Sequence, residues 1–506
     1  MLLTPARLPD APYVRVTRRR DGFHLDGDAH QFLGHQILSG AGDRPDGVFA
    51  GWAWNGQTLN VFNDRYGCSP LFYGADSSSI AVSPSITRLL QLGAKPTLDF
   101  AALSVFLRMG YFLGDDTPFA AVRALPPAAS LCWPRETVAR GSLTLPKPLA
   151  VSHREAVAGF IELFRTAIAH RPPLGPFVVP LSGGRDSRHI LFELIRQGHR
   201  PESCITYHHF PPDEDRHCTP RPEEDVRVAA LIAAAVDVPH EILSQPCARI
   251  RRELRKNALT SFCAGELVEG MVLADHLDRR EVLVYDGIGG DVWSSGLCFD
   301  APRMALLESG RLREIAQWLL GRREKGLEQM LKPATLREMS LELAIERVAA
   351  ELQRHVGAAD PPESFLFWNR IRRQIALGPY GLLRRRKVYS PYLDHDLFDF
   401  LASLPAALMV PAGIHTDAIL EAYPRYAGIP FEDWSGTPRE DHGHWRRMTR
   451  ALAAVFSARP HSSLVRVPFL LPLLHRCALD AQWNRVAWLR PLTALYLLQL
   501  EELTNG

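Results

Sequence analysis

The run Phe177-Val178-Val179-Pro180-Leu181-Ser182-Gly183-Gly184-Arg185-Asp186-Ser187 gathers the densest chemistry in this 506-residue sequence. An apolar, β-forming stretch stops at two glycines, and Ile190, Leu191, Leu194 and Ile195 then recur at helical spacing. The order is strand, tight turn, helix. Such a turn offers the Ser182 and Ser187 hydroxyls together with backbone N–H groups at a helix N-terminus. Its glycines let the main chain approach a bulky anion, and the helix dipole favours negative charge there. Asp186 would repel a phosphate unless a cation stood between them, so Mg²⁺ is expected. No Gly-Lys-Ser/Thr follows the glycines, which excludes a Walker A loop.

A second carboxylate comes from Leu283-Val284-Tyr285-Asp286-Gly287-Ile288-Gly289-Gly290-Asp291, where another apolar strand ends in glycines. Asp186 and Asp291, at two strand ends, make a hard oxygen site suited to Mg²⁺ on a pyrophosphate. A dinucleotide fold is a poor match, since the GxGxxG spacing fails and no helix is expected to follow cleanly.

SGGRDS after an apolar strand resembles the SGGxDS pyrophosphate loop of the ATP pyrophosphatase (PP-loop) superfamily, and its companions resemble the asparagine synthetase-like branch. They are Glu224-Asp225 opening a helix before Pro239-His240-Glu241-Ile242, the GIGGD run at 287–291, and Val388-Tyr389-Ser390-Pro391-Tyr392-Leu393-Asp394. The resemblance implies ATP and Mg²⁺, with Leu181, Ser182, Gly183, Gly184, Asp186, Ser187, Asp286, Gly287 and Gly289 at the nucleotide. Tyr207 or His208 would lie beside the adenine, Tyr207 being the residue taken here. Asp186 and Asp291 would be the metal-binding and catalytic residues. Ile288 stands where asparagine synthetases carry Glu and β-lactam synthetases Tyr, Val292 replaces a Glu, and no lysine follows Lys387. Arg425, Arg439 and Arg446 are the cations left to take that lysine's place. The GIGGD form is nearer to lasso-peptide cyclases, relatives in the same superfamily.

The elements that must position these residues fall into three blocks. Residues 1–140 read as β-rich, with short strands over 51–54, 59–62 and 71–73. Within them, Asn63-Asp64-Arg65-Tyr66-Gly67-Cys68-Ser69-Pro70-Leu71-Phe72-Tyr73 resembles the DRxGxxPLYY stretch of class II glutamine amidotransferase domains. Those domains use an N-terminal cysteine as nucleophile. Here Met1 is followed by Leu2-Leu3-Thr4 and the first cysteine is Cys68, so a glutaminase-inactive, structural domain is expected. Residues 141–176 read as a linker and a helix with Val157, Phe160, Ile161 and Phe164 on one face. Residues 177–506 read as the ATP-binding domain, in which strands alternating with helices indicate a parallel sheet, followed by a helical C-terminal part. The fold class expected is thus α/β: an N-terminal β-rich domain of the glutaminase (Ntn-like) type, then a PP-loop α/β domain.

Bulk properties narrow the partners. A net charge of +2 gives no case for nucleic acid. Eight scattered cysteines without a CxxC pair argue against a disulfide framework or zinc site and for a reducing compartment. His208, His209, His217 and Cys218 read as a polar loop. The N-terminus has no signal-like core, and Arg490-Pro491 interrupts the apolar tail, so a cytoplasmic chain without membrane contact is expected. The activity implied is ATP-dependent adenylation of a carboxylate, then amide formation with an amine, on small molecules or a peptide. Peptide, lasso or lactam cyclisation would be the specialised form, with a partner biosynthetic protein or a second copy of the chain as the open protein partners. A decayed nucleotide-binding scaffold and an ammonia-using asparagine synthetase are the alternatives.

Overall fold

The computed structural model describes residues 11–37, 45–208, 224–246, 248–294, 299–405, 408, 413–432, 442–479 and 491–505. Of the residues singled out above, Met1 to Thr4, His209, His217, Cys218, Arg439 and Arg490 lie outside the described residues.

The N-terminal part builds two antiparallel sheets. One has the order β2-β1-β7-β6-β8, from β1 (Val14–Arg19), β2 (Gly22–Gly27), β6 (Phe72–Ala75), β7 (Ser79–Ser83) and β8 (Arg123–Ala124). The other has the order β3-β4-β5-β9, from β3 (His30–Ile37), β4 (Asp46–Trp54), β5 (Leu59–Asn63) and β9 (Ser130–Trp133). Val14 and Val16 of the first sheet and Val61, Leu131 and Trp133 of the second point inward at every other position. That alternation fixes the register, because a one-residue slip would turn each of them to water. Two helices, Ile86–Gln91 and Phe100–Met109, interrupt the β pattern. Asp64 shapes the turn after β5, its carboxylate accepting N–H groups from Phe49, Tyr66 and Gly67 at 2.7–3.0 Å.

The second part is a parallel sheet in the order β12-β11-β10-β13-β14. Its strands are β10 (Phe177–Pro180), β11 (Ser203–Tyr207), β12 (His240–Leu243), β13 (Leu283–Tyr285) and β14 (Val388–Tyr389), all paired in parallel. The helix Asp186–Arg196 follows β10 and buries Ile190, Leu191 and Leu194. Helix Glu224–Ala235 precedes β12. Residues 301–382 are mostly helical, with two π-helical turns at Phe367–Ile371 and Gly378–Leu382, so β14 joins the sheet only after a long helical excursion. Helices His442–Ser457, Val467–Leu479 and Pro491–Asn505 pack a separate apolar cluster. The architecture is therefore mixed α/β, with the expected β-rich start, parallel sheet and helical end. Among the described residues, no helix is long and apolar enough to cross a membrane.

Helix His153–Ala169 leads into the parallel sheet. A capping box of Ser152 and Glu155 starts it, and Val157, Phe160, Ile161 and Phe164 are buried along one face. Two residues beyond it, the Arg171 guanidinium is buried between carboxylates of both parts. It donates to Asp46 at 2.6 Å, to Asp394 at 2.7 Å and to the Ala167 carbonyl at 3.1 Å. Its own carbonyl accepts the Tyr285 hydroxyl from β13. Replacing Arg171 by Ala would leave Asp46 and Asp394 buried without their cation. Unfolding free energy should fall by about 3–5 kcal/mol in thermal or denaturant unfolding. A loss under about 1 kcal/mol would show that the clamp is not structural.

Candidate functional site

Strands β11, β10 and β13 lie side by side, so whatever follows their carboxyl ends meets in one crevice. Tyr207 ends β11, the loop 181–187 follows β10, and Asp286 follows β13. Every residue assigned above to nucleotide or metal thus stands at the same end of the sheet.

The first loop is held from all sides. Leu181 donates its N–H to Ile205, while its carbonyl accepts the Thr206 hydroxyl at 2.6 Å. Ser187 Oγ accepts the Ser182 N–H at 3.0 Å and lies 3.1 Å from Ser182 Oγ, so the two hydroxyls share a hydrogen bond across the turn. Ser182 Oγ also accepts the Gly184 N–H at 3.2 Å. Gly183 donates to the Asp225 carboxylate at 2.6 Å, and its carbonyl accepts Arg188 and Glu432 N–H groups. A side chain at Gly183 would press within 2.9 Å of Val228. The donors left over belong to the first turn of helix Asp186–Arg196, whose N-cap, Arg185, makes no side-chain cap. An uncapped helix start is an anion site in electrostatic terms.

The second loop closes on the first. Asp286 accepts the Ile288 N–H at 2.9 Å, and Asp291 donates its backbone N–H to Asp186 Oδ2 at 3.1 Å. This contact is possible because Gly290 has no side chain: a Cβ there would sit 2.6 Å from Asp186 Oδ1. Contrary to the sequence expectation, a helix does follow the glycines, a short one over Gly290–Ser294. Helix formation starts inside the glycine run, where the sequence offers no capping residue to mark it.

Three carboxylates now compete for one region. Burial holds the Asp186 carboxyl well above the usual range, and the neighbouring Asp291 and Asp286 charges push the same way. Desolvation raises Asp291 too, although the residue keeps surface open to solvent. It pushes Asp286 up to about 6. Asp186 Oδ1 is buried with no hydrogen-bond partner; His415 Nδ1 lies 3.4 Å away, on an imidazole that burial holds down at about 3 and so leaves uncharged at neutral pH. His415, itself buried, also meets His189 at 3.1 Å and the Tyr392 hydroxyl at 3.2 Å. An orphaned carboxylate oxygen beside a second carboxylate fits a divalent cation. Among the described residues no group of three or more His, Cys, Asp or Glu side chains could hold a metal by itself. The donor set therefore suits Mg²⁺, which takes one or two carboxylates and completes its shell with phosphates and water.

Several contributors were not evident in the sequence. Asp225 read as the opening of a helix, yet it anchors Gly183. His415 belongs to no motif. Of the cations considered for the missing lysine's place, Arg446 donates to the Leu479 carbonyl, Arg425 stacks on Tyr426 at 4.9 Å, and Arg439 lies outside the described residues. The cation whose charge acts on Asp291 is Arg370, in the π-helical turn 367–371 and ion-paired with Glu266 at 3.8 Å. Tyr207 is half-buried, and burial raises its phenol, followed by the charges of Glu269, Asp286 and Asp225.

Residues 28–143 match the glutamine amidotransferase domain model, less than a quarter of the chain. The N-terminal part is a glutamine amidotransferase-type domain. No curated protein matches the chain. A solved structure with some similarity is glutamine phosphoribosylpyrophosphate amidotransferase from B. subtilis, complexed with ADP and GMP. It is 11% identical, over 44% of this chain and 62% of that one, with a TM-score of 0.16. At that score the likeness says nothing about how this chain works.

The crowded carboxylates should cost stability. A carboxyl raised by folding favours the folded state at low pH, and that benefit is lost as pH rises through the folded value. At neutral pH the folded state must either hold a proton on Asp186 or carry its charge among other carboxylates, and either costs stability, so Asp186→Asn should raise the melting temperature by several degrees. The gain should fade on acidification and vanish near pH 4, roughly where free carboxyls also protonate. A variant less stable than wild type at neutral pH would contradict this electrostatic reading.

Proposed function

We propose that this chain is an AMP-forming, ATP-dependent ligase of the asparagine synthetase-like kind, joining a carboxylate to an amine. The observation that carries the reading is the pairing of Asp186 and Asp291 beside the uncapped helix start, at the carboxyl ends of two neighbouring parallel strands. Ser182, Gly184 and Ser187, with the first-turn N–H groups, would cradle the phosphates, and Tyr207 would flank the base. Asp186 and Asp291 would hold Mg²⁺, which when bound offsets the charge of the departing pyrophosphate.

In the first step a substrate carboxylate oxygen bonds to the α-phosphorus while the bond from that phosphorus to the pyrophosphate oxygen breaks. In the second, an amine attacks the acyl carbon, AMP leaves, and the amine loses a proton. The residues contribute positioning and fixed charge, and the first step requires no side-chain nucleophile. Arg370 is the cation nearest in effect to Asp291 and would take the place of the absent lysine. Arg and Lys are not equivalent at a single-point contact, so capture by the amine should be the slower step.

The reading includes no glutamine hydrolysis. Cys68 is buried and its thiol is pushed far up by desolvation and by Asp64, the opposite of a nucleophile. Cyclisation of a peptide or a lactam precursor, in which the amine is carried on the substrate, requires no ammonia from glutamine.

The products test the reaction. With the correct carboxylate, the chain should form AMP and pyrophosphate and exchange labelled pyrophosphate into ATP. Asp291→Ala should lower both by a factor of 100 or more, roughly the cost of losing one transition-state charge partner. ADP as the main nucleotide product would overturn the mechanism. ATP binding without AMP or exchange, across amino acids and peptides, would instead favour a nucleotide-binding scaffold.

A further inference from the structure

A cavity of about 360 Å³ lies between the helices Arg249–Leu259 and His442–Ser457. The second helix turns Leu452, Ala453 and Phe456 into the C-terminal apolar cluster. Ala451, Ala454 and Ala458, three and four residues apart, share a different face and line the cavity. Their short side chains leave the space between the helices unfilled, and Ile250, Met448 and Val455 complete an apolar lining. None of these residues belongs to the crevice of Asp186 and Asp291.

The charged lining is of one sign. Arg249, Arg251, Arg447 and Arg459 line the cavity, and among the described residues no Asp or Glu does. Two of the four are matched by acids outside it: Arg249 pairs with Glu269 at 2.8 Å, and Arg459 with Glu502 at 3.0 Å. Neither Arg251 nor Arg447 has a carboxylate partner among the described residues. Nε and Nη2 of Arg447 are buried and donate to nothing, a costly state for a group made only of donors. Arg251 is exposed, in the first turn of its helix. That turn starts at Ala248, which makes no side-chain cap, so its backbone N–H groups add to the positive field.

We propose that this cavity binds a small amphipathic acid, a carboxylate carried on an apolar body. The volume falls within the roughly 300–1,000 Å³ of small-molecule pockets. The apolar body covers the alanine face and Val455, removing both from water. The carboxylate takes the donors that Arg447 and Arg251 leave over, in the charge-assisted bonds that guanidinium groups make best. An inorganic anion would leave the alanine face wet, and a neutral hydrocarbon would leave the Arg447 donors unmet. Both halves of the ligand are therefore required. The site does not depend on the ligase reading, because it shares no residue with the nucleotide loops.

Calorimetric titration of the full chain with octanoate tests the site. Acetate, the head group without the body, and octanol, the body without the head group, are the controls at equal ionic strength. Octanoate should bind saturably and at least about tenfold more tightly than either control. The double variant Arg251→Gln/Arg447→Gln should weaken that binding at least about tenfold. Ala454→Leu places a larger side chain in the cavity and should abolish octanoate binding. Leucine is a good helix former, so this variant should keep the wild-type circular dichroism and melting temperature, which separates lost binding from lost fold. Absence of saturable octanoate binding, acetate or octanol binding as tightly, or undiminished binding by the double variant or by folded Ala454→Leu would each overturn the proposal.

Discussion

One buried guanidinium sets the geometry on which the crevice depends. Arg171 is shielded from water and carries a full charge, which is tolerable only because Asp46 and Asp394 stand within hydrogen-bonding distance on two sides. Asp46 opens the long central strand of the second N-terminal sheet, and Asp394 caps the helix His395–Ala402. The chain then runs through Pro172-Pro173 into β10, so the entry of the central strand is fixed against both domains at once. Tyr285, bonded to the Arg171 carbonyl, carries the same constraint into β13. Further arginines cross the seam, two to carboxylates and one to backbone carbonyls. Arg65 pairs with Asp399, Arg372 donates to the Gly114 and Leu125 carbonyls, and Arg108 pairs with Glu324.

With the strands so fixed, the crevice assembles by close approach. Gly290 allows the second loop to bring a backbone N–H to Asp186, and Gly183 allows the first loop to lie against Val228 and Asp225. The result places like charges together in partial burial, an arrangement that opposes folding at neutral pH and favours a bound cation. His415 backs Asp186 from the protein side, its Nδ1 3.4 Å from the buried Oδ1.

What could be read in the sequence was the local grammar. The strand–glycine–helix passages at 177–187 and 283–291, the amphipathic helix after residue 152 and the parallel order of strands all follow from short-range periodicity and turn residues. The contacts that fasten them do not. Asp46 is 125 residues from Arg171 and Asp394 is 223, and no pattern along the chain links them. Asp225 fits a helix start equally well with or without its bond to Gly183. The asparagine synthetase-like motif order directs attention to cations after residue 387 and gives no reason to look at the one whose charge acts on Asp291. Arg370 lies upstream, in a π-helical turn whose hydrogen bonding has no sequence signature.

The central claim is that Asp186 and Asp291 act as one divalent-cation site for a pyrophosphate group. Mg²⁺-dependent binding of pyrophosphate to wild type, Asp186→Asn, Asp291→Asn and the double variant measures this directly. If the two carboxylates share one ion, each single change should weaken the Mg²⁺-dependent part by about tenfold or more, and the double change should cost little beyond either. Additive losses in the double variant, or Mg²⁺-dependent binding that survives either single change intact, would contradict a shared site.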